Sequence, residues 1–192
     1  MKGEPLYVAF AGVRRIASGT LREVLPVLKS RFDRDRAELI LVFEVGTGRQ
    51  LDFDLRGSLA EVIERVVPTA PRGPGRPRLG VTSREVSLLP RHWEWLERQS
   101  NSTSATLRRI VEQAIKAQPE HERARHIRAA LSQFLTAMAG NRPNYEEACR
   151  ALFAADTARF EKLIARWPKD IREYASERVL EAACIEAEGV KA

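Results

Sequence analysis

The first 67 residues alternate short apolar runs with stretches of helical periodicity. Residues 7–10 and 14–17 are strand candidates on the two sides of Gly12, and residues 39–43 form an unbroken apolar run that is typical of a central strand. Residues 51–55 then alternate apolar with acidic side chains, which indicates a strand with one buried and one solvated face. The pattern therefore predicts about four short strands in this part of the chain.

Two capping boxes mark the starts of the helices that separate and follow these strands. Thr20 with Glu23, and Ser58 with Glu61, place a hydroxyl and a carboxylate three residues apart, where they can satisfy free backbone N–H groups of a helix start. Pro26 falls inside the first of these helices, so we expect a kink there or a later helix start. The predicted order is ββαββα, an α+β fold with a small N-terminal sheet, and a β-grasp-like unit is one fold with this order.

Residues 68–80 interrupt these patterns with four prolines and three glycines and indicate a linker, because proline donates no backbone hydrogen bond and glycine loosens the chain. Beyond it, a short β-prone stretch over residues 81–89 leads to a helix that begins at Pro90 and then to a second, amphipathic helix. Everything from residue 120 onward has helical periodicity. The chain is thus predicted to comprise a small α+β domain (1–67), a basic linker (68–80), a strand-helix-helix element (81–118) and a C-terminal helical bundle (119–192).

The positive charge of the chain is concentrated in its middle. The net charge of +6 divides into +1 over residues 1–66, +6 over residues 67–128 and −1 over residues 129–192. A basic tract between nearly neutral parts favours a polyanionic partner, since general solubility requires no such clustering.

The basic tract begins with a string rich in proline and arginine, Arg72-Gly73-Pro74-Gly75-Arg76-Pro77-Arg78. Its Gly75-Arg76-Pro77 core resembles an AT-hook, in which an extended backbone carries arginines into the narrow minor groove of A·T-rich DNA. The position before Gly75 is Pro74, where that motif has arginine. Arg72, Arg76 and Arg78 are therefore either a minor-groove or phosphate-binding arm or the arginines of an ordinary linker.

Residues 81–118 resemble a ribbon-helix-helix module, with a short strand that ends at Leu89-Pro90, a helix, a polar turn and a second helix over residues 104–114. In that family, two chains pair their strands, and the outward side chains of the ribbon read the major groove of DNA. The resemblance implies a homodimer paired through residues 82–89 and DNA contacts from four further arginines: Arg84, Arg91, Arg108 and Arg109. The alternative is that this element serves only as a scaffold.

The strand of this element fits the resemblance in two opposite phases. In the first phase, which counts strand positions back from Pro90, Leu89 is buried and Leu88 and Val86 face DNA. The opposite phase buries Val86 and Leu88 and presents Glu85 to the phosphates, because a one-residue slip exchanges the two faces of a strand. Both phases stay open at this point.

Two tryptophans lie in the first predicted helix of this element. Trp93 and Trp95 are two residues apart and so lie on different sides of that helix. We expect Trp93 to pack with Leu96 in the core, and Trp95 to be either a core residue or an interface anchor.

Short strings along the whole chain support one more resemblance. They include Phe10-Ala11-Gly12, Thr47-Gly48-Arg49-Gln50, Gly75-Arg76-Pro77, Leu88-Leu89-Pro90-Arg91-His92-Trp93 and Thr136-Ala137-Met138-Ala139-Gly140. With these strings, the chain resembles the bacterial family of uncharacterised proteins known as domain of unknown function 2239. The resemblance implies a bacterial, cytoplasmic protein and implies no particular activity.

No arrangement of residues in the sequence indicates a catalytic centre. His121 and His126 are five residues apart, about 500° around a helix, and so do not share the face that a zinc site needs. Asp52 and Asp54 share a face of their predicted strand and could hold a divalent ion or act as acid and base, although a solvated pair is the ordinary interpretation. We therefore predict no catalytic residue, no metal, no cofactor and no enzymatic activity.

Nothing in the sequence predicts export or a membrane anchor. No apolar run approaches the roughly 20 residues of a membrane helix, and the run over residues 6–10 is too short for the core of a secretory signal. Cys149 and Cys184 are expected to be buried, reduced thiols of a cytoplasmic protein. Our hypothesis is a bacterial DNA-binding protein, nucleoid-associated or regulatory; the alternative is a protein–protein interaction module with no nucleic-acid role.

Overall fold

The computed structural model of the chain describes residues 4–67, 84–116 and 120–189. The chain divides into two compact units. We call residues 1–69 together with residues 119–192 the sheet unit, and residues 70–118 the helix-pair unit. In the order of the chain, the helix-pair unit is thus an insertion between the two segments of the sheet unit.

The sheet unit contains a four-stranded antiparallel sheet in the order β2-β1-β3-β4. Its strands are β1 (Tyr7–Ala11), β2 (Arg14–Gly19), β3 (Ile40–Glu44) and β4 (Gln50–Leu51). Helix α1 (Leu21–Arg34) follows β2 and helix α2 (Leu59–Val66) follows β4, so the predicted ββαββα order and the α+β class are confirmed. The sheet differs from a β-grasp sheet, whose two central strands are parallel, because β1 and β3 are antiparallel.

Six further helices follow in the described residues. The helix-pair unit has α3 (Pro90–Glu97) and α4 (Thr103–Lys116), and the second segment of the sheet unit has α5 (Glu120–Ala139), α6 (Tyr145–Phe153), α7 (Thr157–Ile164) and α8 (Lys169–Gly189). Local signals account for several of their ends: Pro90 is the first residue of α3, and Asp156 caps α7 by accepting a hydrogen bond from the backbone N–H of Arg159 at 3.0 Å. The predicted C-terminal helical region is confirmed.

The sheet lies between two layers of helices. On one face, Val8 and Phe10 of β1 pack against α5, α6, α7 and α8. On the other face, Tyr7 and Ala9 pack against α1 and α2. A central strand covered on both faces is apolar at consecutive positions, which explains why residues 39–43 show no alternation of apolar and polar side chains.

Phe134 of α5 joins the sheet to the C-terminal helices. Its ring centroid lies 5.0 Å from that of Phe43 in β3 and 4.5 Å from that of Tyr174 in α8. Burial of this cluster raises the pKa of Tyr174 to about 12. The segments 1–67 and 119–192, which the sequence divides into separate parts, therefore pack around the same sheet.

The outer edge of β2 is connected to α8. The backbone N–H of Arg15 donates to Asp170 Oδ2 at 2.7 Å, and the Arg15 guanidinium donates to both carboxylate oxygens of Glu177 at 2.7 and 3.0 Å. These contacts cover part of a sheet edge that would otherwise present unpaired backbone groups.

Both predicted capping boxes are confirmed. Glu23 Oε2 accepts a hydrogen bond from the backbone N–H of Thr20 at 2.7 Å, and Glu61 Oε2 accepts one from the backbone N–H of Ser58 at 2.6 Å. Helix α1 begins directly after Thr20 and continues through Pro26, so the alternative of a later helix start is wrong.

The strand predicted over residues 51–55 is mostly absent, because β4 ends at Leu51. The alternation of exposure persists beyond that point, with the acidic side chains exposed and the apolar ones half-buried. Asp54 closes a local turn, since its Oδ1 accepts hydrogen bonds from the backbone N–H and the Nε of Arg56 at 3.1 and 2.9 Å. Bonding of an Asp side chain to nearby backbone competes with strand pairing.

Candidate nucleic-acid interface

The helix-pair unit has a very small core. Among its described residues, only Leu96 of α3 and Thr106 of α4 are buried, whereas Leu88 and Leu107 are half-buried. The hydroxyl oxygen of Thr106 is buried and has no hydrogen-bond partner in the part of the chain that the structure describes. Few buried side chains therefore hold α3 and α4 together.

The segment before α3 forms neither helix nor strand over residues 84–89. The β-prone stretch was predicted to begin at residue 81, and residues 81–83 lie outside the described residues. Within the segment, Leu88 is half-buried, whereas Val86 and Leu89 are exposed. Neither of the two predicted strand phases is realised, because Leu89, which the first phase buries, and Val86, which the second phase buries, are both exposed.

Four of the predicted DNA-binding arginines lie in the described part of this unit, and all four are exposed: Arg84, Arg91, Arg108 and Arg109. Arg108 Nε donates to the backbone oxygen of Ser104 at 3.0 Å, and Arg91 Nε donates to His92 Nε2 at 3.4 Å. Within residues 84–116 and the other described ranges, none of the four forms an ion pair with a carboxylate. Their positive charge is therefore available to a partner.

The predicted arm lies outside this description. Arg72, Arg76 and Arg78 belong to residues 68–83, which are outside the described residues, so the arm stays a prediction. In the chain, these three arginines fall within residues 70–118 of the helix-pair unit and precede residue 84.

The division into units also separates the charge. Residues 70–118 contain nine Lys or Arg and four Asp or Glu, a net charge of +5. The remaining 23 Lys or Arg and 22 Asp or Glu leave the sheet unit with +1. Nearly all of the excess charge thus belongs to one small structural unit.

Helices α3 and α4 border a groove of about 280 Å³. Apart from the imidazole of His92, its lining is apolar, and the lining residues are Leu88, His92, Trp95, Leu96, Leu107 and Ile110. The Trp95 side chain, 50% exposed, is therefore a groove residue. Trp93 is exposed as well, so the prediction that it packs in the core with Leu96 is wrong: an eight-residue helix against one partner helix has room to bury only one side.

The comparison with protein families matches residues 6–179 to a single description, uncharacterized protein conserved in bacteria (DUF2239). The chain belongs to this family. Neither a curated protein nor a solved structure matches the chain. The DUF2239 match begins just before β1 and ends within α8, so it takes in the helix-pair unit together with the sheet unit.

Of the two aspartates considered for chemistry in this DUF2239 chain, Asp54 is bound by arginine side chains. Hydrogen bonds from Arg56 hold the pKa of Asp54 well below its usual range, and Arg65 Nη1 lies 3.5 Å from Asp54 Oδ2. The lowered pKa keeps Asp54 ionised at neutral pH as the partner of two arginines and makes it a weaker base. In the described ranges, no three His, Cys, Asp or Glu side chains are grouped so that they could hold a metal ion.

The other residues considered for chemistry are a histidine and the two cysteines. His121 Nδ1 lies 3.5 Å from Glu186 Oε1. Both cysteines are free thiols; burial raises the pKa of the partly buried Cys149, which makes it a weaker nucleophile. Cys184 is exposed, so the prediction of a buried thiol is wrong there, because its position in α8 falls on the solvent side.

None of the helices formed by residues 4–67, 84–116 and 120–189 is both long and apolar enough to cross a membrane. In α8, the longest of them, charged residues recur throughout, among them Asp170, Glu177 and Glu186.

Proposed function

We propose that this DUF2239 protein binds DNA through the helix-pair unit and acts in bacteria as a nucleoid-associated or regulatory protein. The observation that carries the proposal is the segregation of charge: +5 on 49 residues of one unit against +1 on the rest of the chain. Duplex DNA carries one negative charge per roughly 1.7 Å of its axis, so a compact basic surface gains affinity by releasing condensed counterions.

Each arginine of the unit has a role in this proposal. The four exposed arginines Arg84, Arg91, Arg108 and Arg109 contact phosphates or base edges, and the phosphate contacts position the protein on the duplex. Arg72, Arg76 and Arg78 act as an arm in the narrow minor groove of A·T-rich DNA, where the negative potential is strongest. A homodimer paired through residues 82–89 would present two such surfaces to one duplex.

The test is a titration of the full chain on A·T-rich and G·C-rich duplexes at several salt concentrations. The logarithm of the binding constant should fall linearly with the logarithm of the salt concentration, and each lost phosphate contact should reduce that slope by about 1. The Arg72/Arg76/Arg78→Ala variant is expected to lose affinity and its preference for A·T-rich DNA. The Arg91/Arg108/Arg109→Ala variant is expected to lose affinity on both duplexes by similar factors.

The sheet unit offers a matched control with the same loss of charge. Arg22, Arg34 and Arg166 are exposed and form no ion pair within the described residues. If the Arg22/Arg34/Arg166→Ala variant weakens binding as much as the variants of the helix-pair unit, binding depends only on total charge, and the proposed interface is wrong. If none of the variants differs from wild type, the proposal of DNA binding by these arginines fails.

The second candidate is a protein–protein interaction module with no nucleic-acid role. The apolar groove of α3 and α4 favours it, because an exposed apolar groove typically marks an interaction site. This candidate would be supported if the chain does not bind DNA and if a protein bound to it is still retained after residues 71–80 are deleted. Absence of enzymatic activity and a cytoplasmic location stay predictions for both candidates.

A further inference from the structure

The groove between α3 and α4 has an aromatic side chain on its rim. Trp95 of α3 lines the groove with 50% of its side chain exposed, and Ile110 of α4, which is 37% exposed, also lines it. The volume of about 280 Å³ is close to the lower bound of roughly 300 Å³ for small-molecule sites. The groove therefore offers an exposed indole and aliphatic side chains to a ligand of about one ring system.

The acidic side chains of the two helices lie far from this groove. At 100° per residue, Glu94 and Glu97 lie about 150° around α3 from its groove residues, and Glu112 lies about 170° around α4 from its groove residues. Arg91 is closer, at about 95° around α3, and its Nε donates to Nε2 of the groove residue His92 at 3.4 Å. The carboxylates are thus directed away from the groove, whereas a guanidinium lies beside it.

We propose that the groove binds an unstacked base of single-stranded DNA, with the base against the Trp95 indole and a neighbouring phosphate at Arg91. The inference deepens the proposed function, because it names the form of DNA that the helix-pair unit takes, and it rests on that function for the binding of DNA. Stacking on an aromatic side chain tolerates any sequence, since every base has a π-face. The groove therefore accepts single strands of varied sequence.

The apolar lining favours the face of a base over its edge. Apart from the imidazole of His92, the groove has no polar side chain to form the hydrogen bonds by which base edges are read. In a duplex, only the edges are accessible in the grooves, because both faces of each base are stacked on its neighbours. A base can therefore enter this groove only from a strand in which it is unpaired and unstacked.

The charge of the unit favours a base over an apolar side chain of a protein. The helix-pair unit has a net charge of +5. Every base within a strand has a phosphate on each side, whereas an apolar side chain brings no charge with it. Each phosphate that is neutralised by Lys or Arg releases counterions and adds affinity. The apolar groove and the basic surface around it are thus both satisfied by one ligand.

The test compares two single strands that differ only in their bases. One is an oligothymidylate of about ten nucleotides, a length within the range of single-strand binding sites, and the other is an abasic strand of the same length and charge. The full chain is expected to bind the oligothymidylate about tenfold more tightly, which is the effect of one stacked base. Fluorescence anisotropy of dye-labelled strands measures both dissociation constants.

Trp95→Leu keeps an apolar side chain in the groove and removes the ring that stacks. This variant is expected to bind the oligothymidylate about tenfold less tightly than wild type and the abasic strand equally well. Its salt slope should be unchanged on both strands, because no charge is lost. Trp93→Leu is the matched control and should behave as wild type, since Trp93 is also exposed on α3 but lies outside the groove.

Tryptophan emission reports the same contact in the wild-type chain, without a substitution. Stacking on a base quenches indole emission, so the oligothymidylate should quench part of the emission and the abasic strand should not. In Trp95→Leu, which retains Trp93 and Trp167, this quenching should be lost. Equal affinity of wild type for the two strands overturns the inference, and this is the result expected if a protein or a second copy of the chain occupies the groove. A preference for the oligothymidylate that Trp95→Leu retains overturns it as well.

The duplex titrations separate this inference from the proposed function. A chain that binds duplexes but does not prefer the oligothymidylate to the abasic strand leaves the proposed function standing and removes the inference. A preference for the oligothymidylate that depends on Trp95, in a chain that binds neither duplex, leaves the inference standing and removes the proposed role on duplex DNA. A chain that binds none of these strands and duplexes removes both.

Discussion

Gly48, in the turn between β3 and β4, lies against the backbone carbonyl of Ala130 in α5. A Cβ atom added to Gly48 would be 1.9 Å from the Ala130 oxygen, and the φ of Gly48 is +70°. Steric contact and backbone conformation thus both require glycine at this position. Through this contact, the hairpin of the first segment meets a helix whose sequence lies some 80 residues later, beyond the inserted helix-pair unit.

The first prediction follows from that contact. Gly48→Ala should lower the free energy of unfolding by at least about 3 kcal/mol, because the hairpin must move away from α5 and alanine must adopt a left-handed conformation. Urea denaturation followed by circular dichroism measures the change. Gly46→Ala in the same turn is the control, since nothing lies within 4 Å of a Cβ there; equal losses in both variants would contradict the role of the Ala130 contact.

The second prediction concerns the ion pair between α5 and α8. The guanidinium of the buried Arg128 donates to both oxygens of Glu186 at 2.6 and 2.5 Å. The hydrogen bonds from Arg128 hold the pKa of Glu186 below its ordinary value near 4.5. An acid whose pKa is lower in the folded than in the unfolded chain stabilises the fold above the unfolded value, and this contribution is lost as the pH falls through the folded value.

Glu186→Gln should therefore lower the melting temperature at neutral pH. The free energy of unfolding should fall by about 1–3 kcal/mol, because Arg128 stays buried and loses the carboxylate of Glu186. The difference from wild type should shrink as the pH is lowered from about 5 towards 3, since wild type then protonates Glu186 as well. Thermal melts across this range provide the measurement. Glu188→Gln, which removes an exposed carboxylate from the same helix, is the matched control and should leave the melting temperature at neutral pH nearly unchanged. If the difference between Glu186→Gln and wild type stays constant with pH, the charge of Glu186 is irrelevant.

The third prediction is that the sheet unit folds without its insertion. Residues 70–118 are to be replaced by about 20 Gly and Ser residues, which span roughly 25 Å as a flexible chain. The sheet should form because the core side chains that the structure describes around it all come from the two flanking segments. Trp167 is then the sole tryptophan, and its ring is buried and donates to the Pro143 oxygen at 2.9 Å.

A blue-shifted Trp167 emission with a cooperative melt is the expected result for this excised chain. Emission at the wavelength of the urea-unfolded chain would show that the helix-pair unit is required for folding. The excised chain should also have lost DNA binding if the proposed interface is right, which makes the same sample a control for the titrations.

The fourth prediction concerns the buried hydroxyl of Thr106. Its oxygen has no hydrogen-bond partner among the described residues, so its burial costs free energy that an isosteric methyl group would not. Thr106→Val should stabilise the helix pair by up to about 1 kcal/mol, whereas Thr106→Ala should destabilise it by leaving a cavity. Hydrogen exchange of α3 and α4 measures both; faster exchange in the valine variant than in wild type would mean that the hydroxyl has a partner in solution.

Local signals predicted much of this fold. The capping boxes at Thr20 and Ser58, the proline at the start of α3 and the aspartate at the start of α7 act on backbone groups within one helical turn, so sequence alone locates them. Predictions of strand length and of burial were wrong where they depended on contact with a residue distant in the sequence. Residues 51–55 have the alternation of a strand, but of these five residues only Leu51 pairs with β3. Trp93 has the spacing of a core residue but is exposed.

For the candidate interface and the layers of the fold, too, some properties could be predicted from the sequence and others could not. The sequence by itself determined that the excess positive charge lies in one stretch of the chain, that this stretch begins with a proline-rich linker, and that residues 39–43 form a central strand, because these properties depend on composition and on neighbouring residues. Only the tertiary structure decided that residues 120–189 provide the second covering layer, through contacts such as Arg15 with Glu177, 162 positions apart. It also decided that Ile110 and Val111 of α4 are exposed, since the packing on a helix face is set by three-dimensional contact and leaves no local trace in the sequence.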